Sequence, residues 1–337
     1  MDYKTLGDQV AKTDSVNREV LPGRVAHADA DFYCYDCAKI DEPIGENFRI
    51  LKDTVEARRK LAGASRIVSH VTMGLKSGRT EMATVKPYQE KRDNRCPEVK
   101  ARVMALRELL GKWLTPTNSG VIHLDQEADD GMTQAHLKDK AELGLQKSVL
   151  MSGDKDLWMV EGLHCDEVTG ELYNVVGYGL VRFKEVGNKS PKLVGTGTNW
   201  FWHQMLMGDS ADNIPGLPKL SGRLANRYLP TKAFNPNRPD LLCGQAKAVA
   251  VLKHCTTDLE ALIAVHECYN DWYGTSGTTM MFEQAYLLWM RREKNPLDVL
   301  DYWKSLGFSY TLTSLQSKAI RDYEAKVRQQ NEQADSA

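Results

Sequence analysis

Across 337 residues no uninterrupted apolar run approaches the ~20 residues that span a bilayer, so a membrane-spanning helix is excluded. The opening Met1-Asp2-Tyr3-Lys4 is polar and lacks the apolar stretch of a secretory signal, so a cytoplasmic protein is expected. Seven cysteines, an odd number scattered along the chain, make no disulfide framework. Cys34 and Cys37 have CxxC spacing, but no second pair follows at zinc-ribbon distance, which predicts buried helix cysteines. An excess of either charge is missing too: 44 basic against 45 acidic side chains give a formal net charge of −1, a total that points to no polyanionic partner. With 42% hydrophobic and 26% charged residues the composition is that of an ordinary globular protein, long enough for two domains or one large one.

The balance hides a segregation. Residues 76–112 carry ten Lys or Arg against five acids, whereas residues 121–171 carry twelve acids against four lysines. Opposite blocks suit two solvated faces, or an anionic polymer on one surface and cations on another. The hydrophobic pattern alternates as well. Short apolar runs at 24–28, 65–72, 120–124 and 148–152 read as strands. They are separated by helical periodicity at 46–62, 97–114 and from about 126, which predicts a mostly parallel α/β sheet. Residues 162–198 read as one or two hairpins, and the chain is mostly helical from about 208. The expected organisation is an N-terminal extension over 1–23, an α/β body over 24–207, a helical region over 208–325 and a flexible tail over 326–337.

Acidic residues recur at the predicted C-terminal ends of three strands: Asp29 and Asp31, then Glu127, Asp129 and Asp130, then Asp154 and Asp156. A lone Asp after a strand is ordinarily a helix cap or turn residue. Recurrence at successive strand ends is harder to explain that way, because ligands bind at that edge of an open parallel sheet. Carboxylates gathered there repel one another unless cations neutralise them. All-oxygen ligands favour Mg²⁺ or Mn²⁺ over zinc, and the matching reaction is phosphoryl transfer with two ions ~4 Å apart. A further acidic motif, Gly208-Asp209-Ser210-Ala211-Asp212-Asn213-Ile214-Pro215-Gly216, places two aspartates three apart.

Glu127-Ala128-Asp129-Asp130, then Met151-Ser152-Gly153-Asp154-Lys155-Asp156-Leu157, then Gly208-Asp209 to Pro215-Gly216 occur in this order behind the Asp29 strand. In order and spacing, from about residue 24 to 225, they resemble the flap endonuclease and 5′-to-3′ exonuclease family, and the Trp200-Phe201-Trp202-His203 lead-in resembles its phage members. The resemblance implies a PIN-like 5′-nuclease fold with a helix-hairpin-helix-like motif in the helical C-terminal region. It implies a first metal surrounded by Asp29, Glu127, Asp129 and Asp130, with Asp154 and Asp156 between two Mg²⁺ or Mn²⁺ ions and Asp209 and Asp212 completing the second site. These groups bind cations rather than attack, and the product carries a 5′ phosphate.

A Tyr-Lys-x-x-Arg segment opens the family's basic arch, here expected over about 74–100. Tyr88-Gln89-Glu90-Lys91-Arg92 stands in its place, with Gln89 at the lysine position, so Lys91 and Arg92 are expected to serve the scissile phosphate. Lys76, Arg79, Lys86, Lys91, Arg92, Arg95 and Lys219 are the expected nucleic-acid contacts. Two further departures concern the metal sites. The second strand ends without an Asp, leaving His70 as a candidate for that space. After Gly216, Leu217-Pro218-Lys219-Leu220-Ser221 puts Lys and Ser where two glycines would admit a K⁺ ion. The expected protein is a monomeric nuclease of DNA duplex ends, flaps and nicks, and of RNA–DNA hybrids, in replication or DNA degradation. The alternatives are a non-catalytic branched-DNA-binding protein of the same fold and a toxin-like ribonuclease.

Overall fold

Residues 18–90, 96–187, 189–230 and 234–335 are described by a computed structural model. Apolar runs with β-branched content build strands β1 (Leu21–Asp29), β2 (Ala64–Thr72), β3 (Asn118–His123), β4 (Ser148–Met151) and β5 (Gly162–Cys165), all parallel, with β6 (Leu172–Val175) antiparallel at one edge. The order across the sheet is β3-β2-β1-β4-β5-β6. Chain direction across the sheet reverses between β1 and β4, and the C-terminal ends of these two strands flank the crevice that such a switch creates.

Helices α1 (Ala30–Cys37), α2 (Ile44–Leu61), α3 (Arg79–Met82), α4 (Pro97–Lys112) and α5 (Ala128–Leu143) connect the strands. Because side chains alternate along a strand, Ala26, Ala28, Ile67 and Val71 join the layer formed by α1, α2 and α4, with Leu51, Val55, Val103, Leu106 and Leu110. Cys34 and Cys37 are buried there as free thiols. The opposite face, covered by α5, carries histidines. His27 Nδ1 lies 3.2 Å from His70 Nε2, His70 Nδ1 lies 2.9 Å from His123 Nε2, and His27 Nε2 meets Asp139 Oδ2 at 3.1 Å. His70, the register partner of Asp29, therefore sits inside a ladder of imidazoles.

The segment expected to form hairpins supplies β5 and β6, then a separate two-stranded ribbon, β7 (Val181–Val186) and β8 (Lys189–Gly195). The next helix, α6 (Gly197–Met207), is buried on all sides, as its Trp-Phe-Trp-His sequence requires. It packs into a second core with α8 (Gln245–Leu252), α9 (Asp258–Tyr273) and α10 (Gly277–Leu288). Between α6 and α8, short strands β9 (Lys219–Leu220) and β10 (Leu241–Leu242) pair, and α7 (Gly222–Tyr228) follows β9 directly. The chain ends in α11 (Asp298–Ser305) and α12 (Ser314–Asp335). The stretch from 326, expected to be a flexible tail, continues α12 as far as Asp335, and Lys326 pairs with Glu81 at 2.6 Å. No helix among the described residues is long and apolar enough to cross a membrane.

Candidate metal centre

The end of β1 becomes the start of α1 at Asp29, whose Oδ1 accepts the Asp31 amide at 3.1 Å and caps the helix. After β4, Asp154 caps the 3₁₀ turn Lys155–Met159 by accepting the Asp156 amide at 2.9 Å. Ser152 ties the two strand ends together: its Oγ accepts from the Asp154 amide at 2.9 Å and reaches Asp29 Oδ2 at 3.5 Å. Both aspartates thus serve as caps, and both also face other carboxylates. Burial, then the charges of Asp31, Asp154 and Glu167, push the Asp29 carboxyl up to about 8. Asp129, half-buried in the first turn of α5, is held well above the usual carboxylate range by burial and then by Asp29 and Asp154. Burial and neighbouring carboxylates both disfavour the charged form of these two groups.

The second group is tighter. Asp156, Asp209 and Asp212 are buried, and each offers an oxygen within 4.8 Å of the others. Gly208 and Gly216 make the Asp209–Asp212 loop possible. Their φ values are 69° and 63°, and a Cβ on Gly208 would meet Ile214 O at 2.3 Å, while one on Gly216 would meet Gly208 N at 2.3 Å. Paired backbone bonds between Asp209 and Ile214, at 2.8 and 2.7 Å, close the loop. Gln204 Nε2, on α6, donates to Asp156 Oδ1 at 2.5 Å. Lys155 Nζ donates to the same oxygen at 3.0 Å and also to Asp209 Oδ2. Burial would raise Asp209, but Lys155 outweighs it and keeps that carboxyl low, whereas burial and Asp154 keep Asp156 high. The charge of Asp154 acts on both groups.

Three of the expected residues, Asp130, Arg79 and Glu127, meet in one internal ion-pair network. Asp130 is fully buried and bound through both oxygens to Arg79, at 2.8 and 3.0 Å, with Ser77 Oγ and the Arg291 amide as its other donors. Arg79, expected on the nucleic-acid surface, is 1% exposed, and its remaining donors go to Glu127 and to the Leu287 and Trp289 carbonyls. Its positive charge serves an internal ion pair. Glu127 joins that pair and also accepts from Tyr88 Oη at 3.0 Å and Gln89 Nε2 at 3.1 Å. Tyr88 Oη stands 3.2 Å from Asp212 Oδ2, so Glu127 is linked to the second group. Gln89 is thereby explained: a neutral amide that binds Glu127 from a buried position.

Of the other expected contacts, Lys86 is exposed, Lys76 Nζ lies 3.7 Å from Glu127, and Lys219 Nζ lies 5.9 Å from the Trp272 ring centroid. Lys91, Arg92 and Arg95 fall outside the described residues. Ser221, in the place of a hairpin glycine, caps α7 by accepting the Leu224 amide and donates to Asp271. Thr72 stands at the carboxylate-free end of β2. Its amide donates to Asp31 Oδ1 at 3.0 Å, and its hydroxyl accepts the Ala128 amide at 2.8 Å, fixing the start of α5. Glu167 was missed. It is buried after β5, accepts from Tyr33 Oη and adds its charge to that of Asp29. The Asp166-Glu167 pair follows a strand as the other acids do, but the hairpin pattern over 162–198 hides that strand.

No family model and no curated protein matches the chain. Solved structures do. The bacteriophage T5 flap endonuclease in a pseudo-enzyme–product complex with DNA and metal ions is 14% identical with a TM-score of 0.51, over 90% of this chain and 99% of that one. T5 5′-exonuclease with divalent zinc bound is also 14% identical with a TM-score of 0.51, over 90% of this chain and 98% of that one. This chain shares the fold of those structures: a mostly parallel six-stranded sheet flanked by helices, continued by a helical C-terminal region.

Proposed function

We propose that this protein is a metal-dependent 5′-to-3′ exonuclease or flap endonuclease that hydrolyses DNA phosphodiesters and also RNA primers, acting in phage-type replication or DNA degradation. The observation that carries the reading is the buried trio Asp156, Asp209 and Asp212, whose oxygens lie within 4.8 Å of one another, with the charge of Asp154 acting on Asp29, Asp129 and Asp156 beside it. The T5 fold supports it. Every donor of the buried trio is a carboxylate oxygen, which fits Mg²⁺ or Mn²⁺. Bound there, two such ions would supply charge neutralisation for an in-line displacement at phosphorus.

The chain's own residues do the rest. Asp29, Asp129 and Asp154 would hold one ion and Asp156, Asp209 and Asp212 the other, while Glu127 steadies the second group through Tyr88. Lys91 and Arg92 would meet the phosphate from the arch, and Lys86, Lys76 and Lys219 would contact the strand or duplex backbone. A second reading, a branched-DNA-binding protein that does not cut, is favoured by Thr72 at the end of β2 and by the commitment of Asp130 to Arg79.

Purified protein incubated with a 5′-labelled flap, a blunt duplex and an RNA–DNA hybrid, in Mg²⁺, Mn²⁺ or EDTA, decides between them. Metal-dependent release of 5′-phosphorylated products is expected. Tight flap binding without cleavage in either metal would establish the second reading instead.

A further inference from the structure

Lys155 is the one basic residue in the Ser152–Asp156 segment, and the 3₁₀ turn that starts at Asp154 brings its ammonium back onto the carboxylates beside it. Its Nζ bonds Asp156 at 3.0 Å and also bonds Asp209, two of the three members of the buried trio. The trio is therefore already holding a cation, supplied by the chain. From this geometry we infer that Lys155 is a resident stand-in for the second metal and that a divalent ion enters by displacing it. The inference rests on the metal-dependent reading above.

The exclusion is physical. A Mg²⁺ or Mn²⁺ ion bound by these oxygens needs their lone pairs at close to 2 Å. An ammonium bonded to the same oxygens occupies that space and repels the incoming charge. Lys155 has a path out of the site. Its side chain is 26% exposed, and a flexible four-carbon stem leads back to solvent. What would remain in place is the donor from Gln204 to Asp156 and the closed Asp209–Ile214 loop, so the oxygens stay assembled for the metal. Lys155 is then a positioning residue. It bridges Asp156 and Asp209 when no metal is present, and it sets the ion concentration at which metal takes over.

Two measurements on the intact chain test this. In wild-type protein, acetylation of Lys155 by an amine-reactive ester, followed by mass spectrometry, is expected to rise several-fold when Mn²⁺ is added, with exposed Lys86 as the internal reference. In Lys155→Met, calorimetric titration is expected to show a Mn²⁺ site tightened by about tenfold or more, since the competing charge is gone. A merely structural lysine would loosen the site when removed. If Lys155→Met folds only with Mn²⁺ present, the stand-in role is supported directly, and the wild-type labelling remains decisive. Mn²⁺ binding to wild type with unchanged Lys155 labelling, or with unchanged or weaker affinity in Lys155→Met, overturns the inference and leaves the metal-dependent reading intact. Failure of wild type to bind Mn²⁺ at all overturns both.

Discussion

Asp130→Asn tests whether that aspartate is a structural partner or a ligand, and the expected size of the effect follows from its bonds. An ionised carboxylate has about four acceptor sites. Asp130 fills them with four donors, two from the Arg79 guanidinium at 2.8 and 3.0 Å, the Ser77 hydroxyl and the Arg291 amide at 2.8 Å. It has no lone pair left for a metal. Arg79, at 1% exposure, has no water to fall back on. Replacing Asp130 with Asn puts an amide donor against donors and removes one of the two carboxylate charges that pair with Arg79, leaving Glu127. Breaking a buried pair this way costs about 3–5 kcal/mol. At about 2 °C per kcal/mol for a chain of this size, Tm should fall by roughly 6–10 °C. Mn²⁺ affinity, measured by calorimetry below the melting range, should change little. Asp156→Asn is the contrast: it removes one of three crowded charges, so Tm should hold or rise, while Mn²⁺ binding weakens by about 10–100-fold. Unchanged Tm together with lost Mn²⁺ binding in Asp130→Asn would refute the assignment and return Asp130 to the metal.

Other outcomes follow from the same structure. Burial lowers the His164 and His203 imidazoles to about 4, and burial together with neighbouring imidazoles also holds His70 and His136 well below the usual histidine range. Groups depressed in the folded state stabilise it fully above the unfolded histidine pKa of about 6.5, so stability should decline between about pH 6.5 and 4. Urea titrations across that range should show the slope, and His164→Gln should flatten it. Gly208→Ala forces a side chain into a left-handed conformation against Ile214 O, which costs more than the ~1–2 kcal/mol of backbone strain alone and should misplace Asp209. Circular dichroism melts and cleavage rates should fall together, whereas loss of neither would show the loop to be adaptable. For nucleic-acid binding, Lys86→Gln with Lys219→Gln should reduce the slope of log affinity against log salt by about 2, roughly 0.9 per phosphate contact. An unchanged slope removes both residues from the interface.

How much of this was legible in the sequence depended on whether a feature is local. The strand runs at 24–28, 65–72, 120–124 and 148–152 lie within a few residues of β1 to β4, because a buried parallel strand writes itself as a continuous apolar run. The acids that follow those runs were legible for the same reason, since the C-terminal edge is fixed once the strands are parallel. Glu167 escaped because β5 is only four residues long, Gly-Leu-His-Cys, too short to set a period. The tail escaped through composition: its glutamines suggested fraying, yet Gln, Glu, Ala, Lys and Arg are good helix formers, and Tyr323 gives the helix a buried foothold.

What no local rule reveals is pairing at a distance. Arg79 looked like one more cation in a basic block, and Asp130 like one more acid at a strand end. They lie 51 residues apart, and only the packing of α10 and the segment after it, whose Leu287 and Trp289 carbonyls receive Arg79, turns them into a buried pair. The histidines behave alike. His27, His70 and His123 are separated by 43 and 53 residues, each read alone is unremarkable, and adjacent strands stack them into one ladder. The same limit explains why the metal assignments divide as they do. Asp154 and Asp156 follow β4 within a few residues, so their place at the sheet edge is legible in motif spacing, whereas Asp130 answers to an arginine that motif spacing ignores. A carboxylate at a strand end is therefore a candidate ligand only after its cation has been identified. In this chain Asp29 and Asp129 have none strong enough to bring their carboxyls down, Asp209 has a lysine that can withdraw, and Asp130 has an arginine that cannot.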